Sequence, residues 1–243
     1  MTLPVLYEDN HLLVVHKEAG LLVQGDSSGQ TCLLDLAKDY RKRTRSKPGN
    51  VYIGLVHRLD RLVSGVVVLA LTSKAASRLS RQFREKTVDK RYLAIVERPR
   101  GSRVPKDREG HWEDSLLVSP EGRVSVETRS KQGDEPAGRL SRTRWVRLEE
   151  TPRELLFELL PETGRKHQLR IACASRGMPI VGDRLYGSRR PFGDSIALHA
   201  RQIAFDHPTR DERMSFACPP PTCWNQFSLS ALDAFNHVAV DHS

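Results

Sequence analysis

A chain of 243 residues with 38% hydrophobic content can bury the core of one large domain or two small ones, which excludes wholesale disorder. Its 39 lysines and arginines against 30 acidic residues leave a formal charge of +9, a surplus that favours a polyanionic partner, nucleic acid first and anionic membrane second, although many basic proteins bind nothing in particular. The longest clean apolar run, Val66 to Leu71, falls far short of the roughly 20 residues a membrane-spanning helix needs, so no membrane span is expected.

The opening carries Glu8 and Asp9 before a short Leu12 to Val15 stretch, which resembles neither a signal peptide nor an Arg-rich transit peptide, and the chain reads as cytoplasmic. VLYEDNHLLVVHK has an acidic turn between two short apolar runs and predicts a hairpin. After a Gly/Ser loop, Thr31 is placed to cap a helix to about Arg43, with Leu33, Leu34 and Ala37 on one face and Pro48-Gly49 ending it. VYIGLV (51–56) and VVVLAL (66–71) predict strands buried on both faces. Ser73 is set to cap the next helix, to about Lys86, with Ala75, Ala76, Leu79 and Phe83 inward and Lys74, Arg78, Arg81 and Arg84 outward. RYLAIV (91–96) is a further strand. Residues 97–152 are charge-dense and turn-rich, with hairpins expected around EGR (121–123) and GDEPAG (133–138). LLFELL (155–160) restores strand character, Thr163-Gly164 looks like a helix entry, and Gly177 like its stop. Strands and helices intermix without strict alternation, so the expectation is a single α+β domain over residues 1–243.

Cys32, Cys173, Cys218 and Cys223 are too scattered for a disulfide framework. Cys218 and Cys223, with His199 and His207 upstream, have looser spacing than a zinc site, and Pro219 to Pro221 stiffen the link. They read as reduced thiols, and no metal is expected.

The most informative segment is HRLDRLVSG (57–65), a short polar loop between two apolar strands. Asp60 lies there between Arg58 and Arg61, cations that favour its ionised form. Such a carboxylate can serve as nucleophile or base, or simply close the loop as a structural ion pair. A kinase-type HRD loop does not fit, because the spacing has an extra residue and no Gly-rich loop or DFG follows. A two-metal nuclease would need several convergent carboxylates, and the other acids show no such spacing.

VHRLDRLVSGVVVLA resembles the catalytic motif of the RluA-type pseudouridine synthases, HRLDxxTSG followed by an apolar strand. VLYEDNHLLVVHKEAGLLVQ is similar to that family's opening segment, and DKRYLAIV to its Lys-x-Tyr strand. ETGRKHQLRIACASRGMPIVGDRLYG and ALHARQIAFDHP resemble its later blocks, in family order. The resemblance implies a mixed, largely antiparallel central sheet flanked by helices, with an RNA-binding cleft across it. It also implies an RNA uridine isomerase that breaks the bond from ribose C1′ to uracil N1, turns the base and rejoins it through C5. The reaction is redox-neutral, so no cofactor is expected, and water must stay out.

By the same resemblance Asp60 is the essential carboxylate, attacking the sugar or abstracting a ribose proton. Tyr92 would stack on the uracil, and Arg170 would pair with Asp60. Leu169 would pack on the base, and Arg165 and His167 would belong to the substrate site. Arg58 would occupy the space left by a flipped base, while His57 supports the loop. Two departures stand out: Val63 replaces the usual Thr, which should alter loop hydrogen bonding, and Ala172-Cys173 replaces polar residues, which should alter RNA contacts. The catalytic opening begins by Leu3 to Leu6, so no preceding S4-type RNA-binding module is expected.

The partner implied is a stem-loop of ribosomal or transfer RNA, met by a monomer. The alternative is a catalytically silent RNA-binding protein that keeps the fold. Residues 38–47 hold six basic side chains against one acidic, while 74–91 and 161–190 each hold seven against two. These blocks are expected to converge on one cleft and grip phosphates, with Arg81, Arg84 and Lys90 among the contacts.

Overall fold

The computed structural model describes residues 3–27, 29–45, 50–99, 104–127 and 137–224. Two compact units emerge: residues 1–90 with 199–243, and residues 91–198. Among the described residues no helix is long and apolar enough to cross a membrane.

In the first unit, the hairpin of β1 (Val5–Glu8) and β2 (Leu12–Lys17) forms as its sequence predicts. Asp9 shapes the turn: its Oδ1 accepts the N–H groups of His11 and Leu12, both at 2.7 Å. Helix α1 (Leu33–Arg45) starts two residues beyond Thr31; Asp35 in its first turn accepts the Cys32 N–H at 3.1 Å. Pro48-Gly49, the expected stop, lies outside the described residues.

The apolar run 51–56 yields only a two-residue strand, β3 (Gly54–Leu55), antiparallel to β4 (Ser64–Ala70). Its stop after Leu55 has a local reason. The next rung would need the Val68 N–H, and that donor is taken by the His57 ring at 2.9 Å. β4 is buried over its whole length, as its continuous apolar sequence requires. One edge is paired by β2; the other also takes β10 (Leu198–Asp206), in a parallel pairing of His199 with Ser64 and Ala200 with Gly65. β11 (Arg213–Ala217) continues antiparallel from β10.

Helix α2 (Ser73–Glu85) is capped by Thr72 rather than by Ser73. Thr72 has the extended backbone that an N-cap requires, and its hydroxyl accepts the Ala75 N–H at 3.2 Å. Ala75 and Leu79 pack with Leu12, Val14, Val66, Val68, Phe205 and Met214 in one core cluster. Burying a side chain such as Leu79 contributes about 1.5–3 kcal/mol.

The second unit is built on antiparallel strands in the order β5 (Asp89–Glu97, of which residues 91–97 belong here), β9 (Glu154–Pro161), β8 (Arg139–Glu150), β6 (Glu109–Val118), β7 (Val124–Val126). The expected hairpin at 121–123 joins β6 to β7, with Gly122 at φ +80° in its turn. The hairpin expected at 133–138 falls mostly outside the described residues. Trp112 and Trp145 stack at 5.4 Å, and Phe157 closes the cluster within 5.8 Å of both. Helix α3 (Gln168–Ala174) is short and buried from Gln168 to Cys173.

The strand pairs within each unit are antiparallel except β4 with β10, an α+β arrangement as expected.

Candidate active site

The loop from His57 to Val63 is fixed from several sides within the first unit. Its apolar members Leu59 and Val63 are buried, and the Val63 N–H bonds the Asp60 carbonyl at 3.0 Å. His57 takes the Val68 N–H on Nε2 and stacks on Phe83 at 4.9 Å. Burial, with the Lys90 charge acting the same way, lowers its pKa to about 3. A ring nitrogen that accepts an N–H must carry a lone pair, so His57 is a neutral bracket holding the loop to β4.

Sequence reasoning missed the strongest of these ties. Lys17, fully buried at the end of β2, donates to the carbonyls of Glu18 (2.9 Å), Leu21 (2.8 Å) and Arg61 (3.1 Å). Burial lowers its pKa to about 7, opposed by the Asp60 charge. Arg61 and Gly20 then bond reciprocally: the Gly20 N–H reaches the Arg61 carbonyl at 2.8 Å, and Arg61 Nε reaches the Gly20 carbonyl at 3.0 Å. Gly20, at φ +89°, is a residue that can make this turn without strain. The signal was present as a lysine inside an apolar strand, a residue almost never buried unless its charge is satisfied.

Gly65 closes the motif for a steric reason. Its φ is +129°, and a Cβ there would lie 2.3 Å from the Ala200 carbonyl oxygen. Asp60 is half-buried in this loop, and Arg58 is exposed. Among the described residues Arg58 has no hydrogen-bond or ion-pair partner, so its side chain is available to move.

In the second unit, Tyr92 is half-buried on β5 opposite Leu159. The expected helix entry at Thr163-Gly164 is displaced to Gln168. The Thr163 hydroxyl instead bonds Gln168 Oε1 at 2.7 Å, and Gln168 Oε1 also takes the Arg165 N–H at 3.0 Å. Gln168 Nε2 donates to the Arg142 carbonyl and the Thr143 hydroxyl, which satisfies the buried amide on both sides. Residues 163–167 are thereby held as a loop. His167, at φ +52°, turns the chain into α3 and meets the Tyr186 hydroxyl through Nδ1 at 2.6 Å. Gly177, at φ +73°, ends the turn after α3, whose own C-cap is Ser175.

Arg170 is held by a partner the sequence reading did not single out. Asp183 accepts from Nε at 2.7 Å and from Nη2 at 2.8 Å, with both side chains buried, and the guanidinium lies 4.9 Å from the centre of the Tyr186 ring. Asp183 and Tyr186 both belong to GDRLYG, so the block is the seat of the arginine. Leu169 is buried beside it, while Arg165 is exposed and donates to the Leu140 carbonyl at 3.1 Å. Ala172 and Cys173 are buried, and burial pushes the Cys173 thiol up to about 12. Neither side chain is at the surface, so any effect of the two on RNA contacts is indirect.

Of the phosphate candidates, Arg81 and Arg84 project from α2 into solvent. Lys90 is half-buried, which lowers its pKa against the pull of Asp89. Of the grouping Cys218, Cys223, His199 and His207, the structure brings together only His199 and Cys218, with Nε2 and Sγ 3.5 Å apart. His207 bonds Asp9 Oδ2 at 2.8 Å, and Cys223 is exposed.

Residues 11–175 match the family model described as RNA pseudouridylate synthase. The chain is 34% identical over 222 residues to the ribosomal large subunit pseudouridine synthase C of Vibrio parahaemolyticus, covering 88% of this chain and 65% of that protein. It is 33% identical to an uncharacterized RNA pseudouridine synthase of Haemophilus influenzae, covering 85% and 84%. The chain thus spans about 65% of the length of the large-subunit synthases it matches. Among solved structures, human RNA pseudouridylate synthase domain containing 4 superimposes with a TM-score of 0.76 at 26% identity, covering 94% of this chain and 92% of that one.

Proposed function

The chain belongs to the RNA pseudouridylate synthase family, and we propose that it isomerises a uridine to pseudouridine in a stem-loop of ribosomal or transfer RNA. The observation that carries this reading is the Asp60 loop. Its carboxylate is half-buried while the backbone around it is tied down by Lys17, Gly20 and His57. A catalytic group is effective when its position is set before substrate arrives.

In this reading Asp60 acts at the ribose, Tyr92 stacks on the base, and Arg170 contributes positive charge. Asp183 and Tyr186 keep the Arg170 guanidinium in one orientation. Leu169, Arg165 and His167 serve the substrate alongside. Arg58, exposed and unengaged among the described residues, fills the stack when the uridine is flipped out. The C1′–N1 bond breaks and a C1′–C5 bond forms; the C5 proton leaves to solvent and N1 gains one. Atoms and electrons balance without a cofactor. Arg81 and Arg84 on α2 bind backbone phosphates. The enzyme works in the cytoplasm as a monomer.

The test is tritium release from cellular RNA labelled at uracil C5. Wild type should release label and Asp60→Asn should release none while keeping its circular-dichroism spectrum. Binding of RNA by the wild type with no release from any RNA would establish the silent binding protein instead.

A further inference from the structure

Behind the Asp60 loop, still within the first unit, three metal-ligating side chains converge from separate segments. His16 comes from β2, His199 from β10, and Cys218 from the residue after β11, with one donor atom of each within 4.8 Å of the others. We propose that these three form a site for a soft d10 metal ion, zinc(II) or copper(I).

Four observations carry the assignment. Two imidazoles and one thiol are a donor set of the kind that zinc and copper(I) select, and one that calcium or magnesium does not. Second, His199 Nδ1 is 2.9 Å from the Ser64 hydroxyl, while Nε2 faces Cys218, 3.5 Å from Sγ and 3.1 Å from the carbonyl. Metal binding would exchange the Nε2 bond to the Cys218 carbonyl for ligation, while the Ser64 hydroxyl keeps Nδ1 and so the orientation of the ring. Third, His16 Nε2 is buried and has no hydrogen-bond partner among the described residues. A buried ring nitrogen without a partner is unfavourable, and ligation would remove that cost. Fourth, His199 and Cys218 are buried, and the Trp224 ring lies 6.2 Å from His199, so the position is shielded from competing water.

The donor set, with its single thiol, chooses the class of ion. Glu18 and Lys17 act with opposite sign on His16, and Arg201 acts as a cation on His199 and Cys218. The Cys218 sulfur supplies the charge that offsets the ion. On binding, the Cys218 thiol gives up its proton and the sulfur–metal bond forms. The thiolate then leaves a net charge of zero with copper(I) and +1 with zinc(II). Bound there, the ion would join β2, β10 and the chain after β11 one hydrogen bond from Ser64, the first residue of the strand that follows Asp60.

The full chain, stripped of metal with a chelator, provides the test. Titration with cobalt(II), as a spectroscopic stand-in for zinc(II), should give a thiolate-to-cobalt band in the near ultraviolet that saturates at one equivalent. The band should disappear in Cys218→Ala and survive in Cys223→Ser. Zinc(II) at about a hundred times its Kd should raise the wild-type Tm by roughly 5–10 °C. Copper(I), offered from a chromophoric chelator, is the second arm, with one equivalent withdrawn by wild type and none by Cys218→Ala. Uptake in either arm, dependent on Cys218, upholds the site. No uptake and no Tm shift in wild type, or uptake that persists in Cys218→Ala, overturns it. If Cys218→Ala fails to fold, the milder His16→Gln takes its place: loss of the band or of uptake there upholds the site, and uptake unchanged from wild type overturns it.

Discussion

Asp183 grips Arg170 through two parallel bonds, of 2.7 and 2.8 Å, in a setting where the arginine is 5% exposed and the aspartate 1%. The fork of the guanidinium and the two carboxylate oxygens match in geometry, which fixes the plane of the arginine as well as its position. The pair links two segments 13 residues apart, on either side of the turn at Gly177.

Asp183→Asn should be strongly destabilising, because it removes the charge and one of the two carboxylate acceptors that hold the buried Arg170 guanidinium in place, a loss of about 3–5 kcal/mol. Urea unfolding should show a lower midpoint with an unchanged slope. A wild-type midpoint would mean that another group compensates Arg170 and that Asp183 is dispensable.

Stability should fall in mild acid through two histidines. His57 and His199 are both lowered to about 3 in the native protein, principally by burial, against about 6.5 in an unfolded chain. Between these values the unfolded chain binds more protons, so the stabilisation present above about pH 6.5 is lost progressively as pH drops toward 3. Denaturant midpoints measured across that window should decline with falling pH. In His57→Gln, whose amide oxygen can still accept the Val68 N–H, the decline should be shallower. An identical pH profile for the two proteins would rule His57 out as a contributor.

Replacing Arg81 and Arg84 by alanine should weaken RNA binding at low salt and reduce the slope of log K against log salt by about 1–2. Fold stability should barely change. Arg81 is 61% exposed, and its approach to Glu85 at 4.0 Å is a surface pair worth little. Filter binding at several salt concentrations reads both quantities, and an unchanged slope would remove α2 from the interface.

The sequence was most legible where periodicity and turn chemistry act locally. The first hairpin, the helix over residues 73–85 and the strands around 91–96 and 155–160 follow from patterns of a few residues. It was least legible where a side chain replaces a backbone rung. VYIGLV has the composition of a six-residue strand, yet His57 takes the Val68 N–H and stops it after two residues. The same holds for α3, whose start depends on the buried Gln168 amide bonding Thr163, five residues away. The candidate residues were readable as motif positions, whereas Lys17 and Asp183, which hold two of them, stood unremarked inside the same blocks. Their effect depends on burial and on which groups they meet, and neither property has a period.

The reciprocal bonding of Gly20 and Arg61 makes one amide a spectator of the reaction loop. The Gly20 N–H has its acceptor on Arg61, the residue after Asp60, so it exchanges with solvent deuterium only when that loop comes away from the turn at Gly20. Its exchange rate follows opening of the loop in the intact protein, with no label on Asp60 and no ligand present. A ligand that stabilises the closed loop slows that one amide. A substitution that loosens the Lys17 anchor speeds it, separating damage to the loop's footing from damage to its chemistry.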